Sequence, residues 1–212
     1  MIQAALNRRN LIILALVWGG LLAMPAPGLS QTVAGNAQAV QATVLGATTV
    51  LAGTGDLSGS NDARQASAII GSVPSLLGAD SLHATAIGEP DESASEASLG
   101  SLGVTIAGNT ISASFVMARA NVVTGVGGTG QSSIDGLTIN GVPVSATGAA
   151  NQTVPLVGGT LIINEQRVGS AGALVNALHL IVNGVADVVI GSATAGTPPS
   201  GGSTILNLGS GI

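Results

Sequence analysis

The sequence predicts an all-β fold: a single antiparallel β-sandwich or rolled sheet, with a β-solenoid as the alternative and an N-terminal signal-peptide helix ahead of it. Three observations carry this. Runs of strand length alternate β-branched and small residues. Gly and Asn dipeptides of the hairpin type sit between the runs. No long 3.6-residue apolar period follows residue 30. No fixed-period repeat supports the solenoid.

The elements follow in order. Thr32 to Leu57 is rich in Ala, Val and Thr around Gly46 and Gly53. Gly55-Asp56 and Gly59-Ser60-Asn61-Asp62 read as a turn-rich loop. Ala66 to Val73 reads as a strand that Pro74 ends, and Ser81 to Ile87 alternates as another. Ser93 to Leu102 is ambiguous, because Ala and Glu tolerate helix while Ser and Gly oppose it. Gly108-Asn109, Asn140-Gly141 and Asn183-Gly184 each read as a two-residue hairpin turn between alternating runs. Pro143 marks an edge strand or a strand end. Gly125 to Gly130 reads as a loop, and Thr160 to Asn164 as a short apolar strand. Leu174 to Val182 and Val185 to Ile190 flank Asn183-Gly184.

The N-terminus sets the compartment. Arg8 and Arg9 precede an apolar run, Leu11 to Met24, which Pro25, Pro27 and Gly28 break. A basic start, a short apolar stretch and a small-residue exit form a secretory signal. The run is shorter than the roughly 20 residues of a stable span. Cleavage is expected after Ser30, or after Ala34 as second choice. Arg8-Arg9-Asn10-Leu11-Ile12 also resembles a twin-arginine signal, but the strongly apolar run favours the general secretory route. The expected organisation is a signal peptide over 1–30, a β-rich domain over 31–196, and a Pro/Gly/Ser linker with a short apolar segment over 197–212. A membrane contact is expected only through the signal segment if it is left uncleaved. No Leu-Pro-x-Thr-Gly sorting motif is present in the tail.

Composition narrows the function. Without Arg8 and Arg9, three arginines face ten acids, a net charge of −7, and the chain has no lysine. Such a surface cannot neutralise a run of phosphates, so nucleic acid and anionic lipid are poor partners. The chain has no cysteine, hence no disulfide, thiolate site or cysteine nucleophile. Phe115 is the one aromatic residue after Trp18, so stacking platforms for sugars or bases are nearly missing. The core must be built of Val, Ile, Leu and Ala.

Few side chains are candidates for chemistry. Asp56, Asn61 and Asp62 share a loop with Ser58 and Ser60, a weak calcium candidate that lacks EF-hand spacing. Glu89, Asp91, Glu92 and Glu96 form a second acidic group, which reads first as solvated surface. Asn164, Glu165, Gln166, Asn176 and His179 form a polar cluster beside apolar strands. It reads as backbone satisfaction or, more sharply, as a ligand site. A two-residue turn at Asn183-Gly184 sets Leu180 opposite Asp187, which places His179 and Asp187 on opposite faces and argues against their bonding. A hydrolase would use His179 or His83 with a serine or a carboxylate, and no nucleophile-elbow motif stands behind it. Gly125-Val126-Gly127-Gly128-Thr129-Gly130 lacks the lysine and helix of a phosphate loop. Asn151-Gln152-Thr153 is a glycosylation sequon, relevant only in a glycosylating host.

Several blocks in the second half carry a family resemblance. They are Ile134-Asp135-Gly136-Leu137-Thr138-Ile139-Asn140-Gly141-Val142-Pro143-Val144, Leu161-Ile162-Ile163-Asn164-Glu165-Gln166, Val175-Asn176-Ala177-Leu178-His179 and Ala186-Asp187-Val188-Val189-Ile190-Gly191-Ser192-Ala193. In order and spacing they resemble the choice-of-anchor P family of secreted bacterial proteins, over most of the chain after the signal. The resemblance implies an exported domain displayed at the cell surface through varied C-terminal signals, with no known reaction. The chain departs from it in lacking a recognisable anchor and in carrying Thr194 where the family often shows His. The expected function is therefore a non-enzymatic surface or extracellular structural or interaction domain. It would need no cofactor, and its partners would be other copies or other surface proteins. In one version Thr204 to Ile212 adds as a strand to a neighbour's open sheet edge. The alternatives are the hydrolase and a small-ligand or calcium-binding module.

Overall fold

Extended runs joined by short turns must satisfy their backbone groups between strands. The computed structural model describes residues 33–197, and within them it contains strands and no helix. The signal peptide over 1–30 and the apolar segment Thr204 to Ile212 lie outside the described residues. The strands are β1 (Ala34–Val44), β2 (Ala47–Gly53), β3 (Ala63–Val73), β4 (Leu77–Gly88), β5 (Glu92–Ile106), β6 (Asn109–Val123) and β7 (Gly127–Asp135). They continue as β8 (Thr138–Ile139), β9 (Val142–Pro143), β10 (Gln152–Leu156), β11 (Gly159–Val168), β12 (Gly172–Val182) and β13 (Ala186–Gly196).

They form two antiparallel sheets. The first runs β10-β11-β12-β13-β1-β2; the second runs β3-β4-β5-β6, with β7 and β8 sharing the far side of β6 and β9 outside β8. The sheets pack as a sandwich that is not closed into a barrel, so the solenoid alternative is excluded. The ambiguous Ser93–Leu102 segment forms the first two thirds of β5, where Ser93, Ser95, Ala97 and Leu99 alternate inward. Residues 127–130 belong to β7 rather than to a loop, lying against Ala120 to Val123 of β6. One glycine, Gly130, has no room for a side chain there, since a Cβ would come within 2.6 Å of Val175.

Turn chemistry follows the sequence in part. Asn140-Gly141 is a two-residue turn between Ile139 and Val142, with φ of 52° and 78°. The turn expected at Gly108-Asn109 is instead Ala107-Gly108, and Asn109 pairs with Ile106. The turn at Asn183-Gly184 takes in Val185 as well, so that Val182 pairs with Ala186. That extra residue shifts the whole β12–β13 register by one.

Each sheet is creased along one line that crosses the strands. In the first sheet the crease runs through Asn164, Ala177, Gly191, Ala39 and Ala52; the ladders skip these positions and resume beyond them. Asn164, Gly191 and Ala52 hold φ of 55°, 63° and 48°. In the second it runs through Ile69, Ser81, Ser101, Ser114 and Gly136, where Ser81, Ser101 and Gly136 hold φ of 51°, 48° and 64°. A left-handed residue rotates the strand, so the inward-facing set changes phase. In the first sheet two successive residues then point inward, as with Ala177-Leu178 and Ala39-Val40. In the second, inward residues step by three, from Leu99 to Leu102 and from Ala113 to Val116. At its crease the first sheet comes close to the second, a Cβ on Gly191 lying 3.3 Å from Val116 and 3.7 Å from the Ala118 backbone nitrogen, so the outer face of the first sheet is drawn inward there.

The creases also divide the core. On the side reached by Leu77, Leu102, Val104, Ile111, Leu161, Ile163, Leu178, Leu180, Val188 and Ile190, the interior is large and aliphatic. On the other side small residues predominate, with Ala37, Ala84 and Ala97 clustered together and Ala118, Ala193 and Ser93 buried nearby, alongside Leu82, Leu99, Val116, Val122 and Val175. A Cβ on Gly35 would lie 2.7 Å from Leu57 and 3.0 Å from the hydroxyls of Ser93 and Ser95. Short side chains let the sheets approach closely there, and the Ser93 hydroxyl donates to the Ala34 carbonyl across the interior at 2.6 Å.

Candidate functional site

The crease in the first sheet assembles the densest polar network on the described surface. Glu165 and Asn176 face each other on one side of it, and His179 lies on the other. All three point outward, because Val175, Ala177, Leu178 and Leu180 take the inward positions. In a flat sheet Glu165 would be too far along the strand to reach His179. The bend closes that gap and leaves Glu165 and Asn176 only 8% and 7% exposed although they face outward.

The bonds form one chain. The His179 imidazolium donates from Nδ1 to Glu165 Oε2 at 2.8 Å and from Nε2 to Asp187 Oδ1 at 3.1 Å. Asn176 Nδ2 donates to the same Glu165 oxygen at 2.7 Å, and Ser192 Oγ donates to Asn176 Oδ1 at 2.7 Å. Arg167 approaches Glu165 Oε1 at 3.7 Å. The hydrogen bond from His179 holds the Glu165 carboxyl below its ordinary range against the opposing effect of burial, with help from Asn176 and Arg167. Burial disfavours the charged ring of His179, but the hydrogen bond and charge of Glu165, then those of Asp187, outweigh it and raise its pKa. The network is thus an ionised, mutually satisfied pair with a second, more exposed carboxylate.

The His179–Asp187 bond corrects the sequence reading. The three-residue turn puts Ile181, not Leu180, opposite Asp187. His179 and Asp187 therefore share a face as diagonal neighbours. The expected polar cluster is also divided. Glu165, Asn176 and His179 meet on the outer face. Asn164 turns toward the second sheet, where its Oδ1 accepts from Ser132 Oγ at 2.8 Å and from Gln166 Nε2 at 2.6 Å. Its amide donates to the Gly148 carbonyl at 3.1 Å. Asn164 and Gln166 thus tie the sheets together and take no part in the outer network. Ser192 and Arg167 were not singled out by sequence. The polar alternation Ser192, Thr194 on β13 was the signal for the first of them.

The other candidates are engaged locally. Asp62 Oδ2 accepts from the Ser58 amide, the Ser58 hydroxyl and Arg64 Nε, each at 2.8 Å. The Ser58 amide above all, then Arg64, lowers its pKa to about 2. Asp56 accepts from Asn36 at 2.9 Å, and Asn61 is tied through its backbone N–H, which donates to the Gly88 carbonyl at 2.7 Å. Among the described residues no three acids or histidines are grouped to hold a metal. Glu96 is bound by Arg119, and Glu92 by Asn121. His83 stands in register with Ser67 and Ser98 on the outer face of the second sheet, with no carboxylate in hydrogen-bonding reach among the described residues. Asn151 of the sequon is exposed in a turn and accepts from the Gln166 amide at 3.0 Å.

Fold and site together define an antiparallel β-sandwich with a self-satisfied acid–histidine network in an outer crease. No family model, curated protein or solved structure matches the chain.

Proposed function

We propose that the chain is an exported, non-enzymatic domain of the cell surface or extracellular space, one that works by contact rather than by catalysis. The observation that carries this reading is the closure of the His179 network. Both ring nitrogens bond carboxylates. A catalytic histidine of a hydrolase needs one nitrogen for its nucleophile, and Ser192 is bonded to Asn176 rather than to the ring. The secretory pattern of Arg8 to Ser30, the cysteine-free composition and the resemblance to the choice-of-anchor P family point the same way.

The test has two arms. Antibody detection in fractions of the native host should find the protein in the envelope or the medium; retention in the cytoplasm would remove export from the proposal. The purified chain should show no turnover on a panel of chromogenic esters, peptides and glycosides. Turnover that a His179→Asn variant abolishes would replace the reading with the hydrolase.

A further inference from the structure

We propose that the aliphatic end of the sandwich is a docking surface for neutral, zwitterionic lipid. Six turns meet at that end: Leu45-Gly46, Pro74-Ser75-Leu76, Ala107-Gly108, Asn140-Gly141, Val157-Gly158 and Asn183-Gly184-Val185. Hydrogen bonds join five of them in a row across both sheets. The Leu45 amide donates to Val185, Asn183 to Gly158, Val157 to the Asn109 side chain, and Asn140 to Thr110. Leu45, Val157, Val142 and Val185 stand out from this row, 80%, 67%, 63% and 40% exposed.

Two independent features say that the end is built for an apolar surface. The first is Leu45. It occupies the first central position of a two-residue turn at φ of 47°, with Gly46 at 84°. Asn, Asp or Gly is favoured there, and a leucine is disfavoured both by its backbone and by its exposure. The second is the placement of charge. None of the six turns carries a charged residue, whereas the opposite end holds Asp56, Asp62, Glu89, Asp91 and Glu92. The acid closest along the chain to any tip is Asp187, two residues from Val185, and it is bonded to His179. An acidic molecule can approach a neutral headgroup layer tip first with its charges held away. An anionic layer would repel it.

A second copy of the chain fits less well. Protein interfaces of standard size use roughly 20–30 residues a side, whereas four separate aliphatic fingers suit insertion between headgroups, where binding scales with the apolar area immersed. This inference goes beyond the contact function proposed above, and it holds or fails whether or not the chain is exported.

The absence of native cysteine makes the experiment direct. A polarity-sensitive fluorophore is attached to full-length Leu45→Cys, Val157→Cys and, at the acidic end, Val126→Cys. Each is titrated with phosphatidylcholine vesicles carrying a quencher in the acyl region. Blue shift and quenching are expected at 45 and 157 but not at 126, and they should weaken when half the lipid is phosphatidylglycerol. The probe at 126 controls for binding through the N-terminal apolar run, because the chain enters β1 at the acidic end and insertion of that run would bring 126 rather than 45 to the lipid. Adding Leu45→Asn to the Val157→Cys protein keeps the turn and should lower partitioning about tenfold, from the loss of one immersed leucine. No shift at 45, an equal shift at 126, or stronger binding to phosphatidylglycerol would overturn the proposal. So would a shift at 45 that appears without lipid as protein concentration rises, since that marks a tip-to-tip contact between copies.

Discussion

On one side of the creases the two sheets are separated mainly by leucine, isoleucine and valine; on the other alanine, serine and glycine predominate, with Leu82, Leu99, Val116, Val122 and Val175 set among them. The first half is held by the apolar area it removes from water. The second removes less area per residue and depends on the closeness of the sheets, which leaves little room for change. The same division runs outward, because the aliphatic half ends in uncharged tips and the alanine half in acidic loops. Interior volume and surface charge are therefore partitioned along one axis, and the polar network marks the boundary.

The largest effect should come from the aliphatic half. Leu178 is fully buried beside the crease, and Leu178→Ala is expected to destabilise by about 3 kcal/mol through lost transfer energy and a residual cavity. Urea unfolding measures it. A loss well below that of Leu→Ala at ordinary core sites would mean that the sheets collapse onto the gap, and the contrast between the halves would fail.

Next comes the boundary. Glu165→Ala removes the acceptor of both His179 and Asn176 and should cost about 2 kcal/mol, between an exposed and a fully buried pair. The cost depends on pH. His179 has a raised pKa, so its contribution is complete below its ordinary 6.5 and fades as pH rises through the higher folded value. Glu165 has a lowered pKa, so its contribution is complete above 4.5 and fades as pH falls through the lower folded value. The two are therefore both complete between pH 4.5 and 6.5. Unfolding measured across pH should show the wild-type advantage over Glu165→Ala greatest in that window. A difference independent of pH would mean that the bonds are present but the charges contribute nothing.

In the alanine half the sign of volume reverses. Ala97 is fully buried against Ala37 and Ala84. Ala97→Val adds apolar atoms yet should destabilise by about 1–2 kcal/mol through overpacking. A gain in stability would show that the thin half has spare space.

The strands and most hairpins were legible because alternation and Asn-Gly chemistry are local signals. The creases were not. In β6, Ile111-Ser112-Ala113-Ser114-Phe115-Val116 can be read as a single alternation, which puts Phe115 in the core; the structure changes phase there and leaves Phe115 partly exposed. Glycine would have flagged the left-handed positions, but Ser81, Ser101, Ala52 and Asn164 fill four of them. The network suffered for the same reason. Its members were visible as polar residues in apolar strands, but grouping them needed the bend. Separating His179 from Asp187 followed from one unrecognised turn residue, Val185.

The smallest effect tests the crease itself by comparing one substitution at two places on β5. At Ser101, φ is 48°, and a left-handed L-residue costs about 1–2 kcal/mol, which glycine removes. Against this stands the greater flexibility that glycine gives the unfolded chain, about 0.5–1 kcal/mol. Ser101→Gly should therefore leave the protein unchanged or slightly more stable. Ser98, three residues earlier, pairs normally with Met117 and has no such strain to release, so Ser98→Gly bears only the entropic cost and should lower the melting temperature. Opposite signs for one substitution within a single strand would place the crease at Ser101 in solution. Equal losses at both positions would mean that β5 runs straight through. The bend that gathers Glu165 to His179 in the opposite sheet would then stand over an uncreased strand.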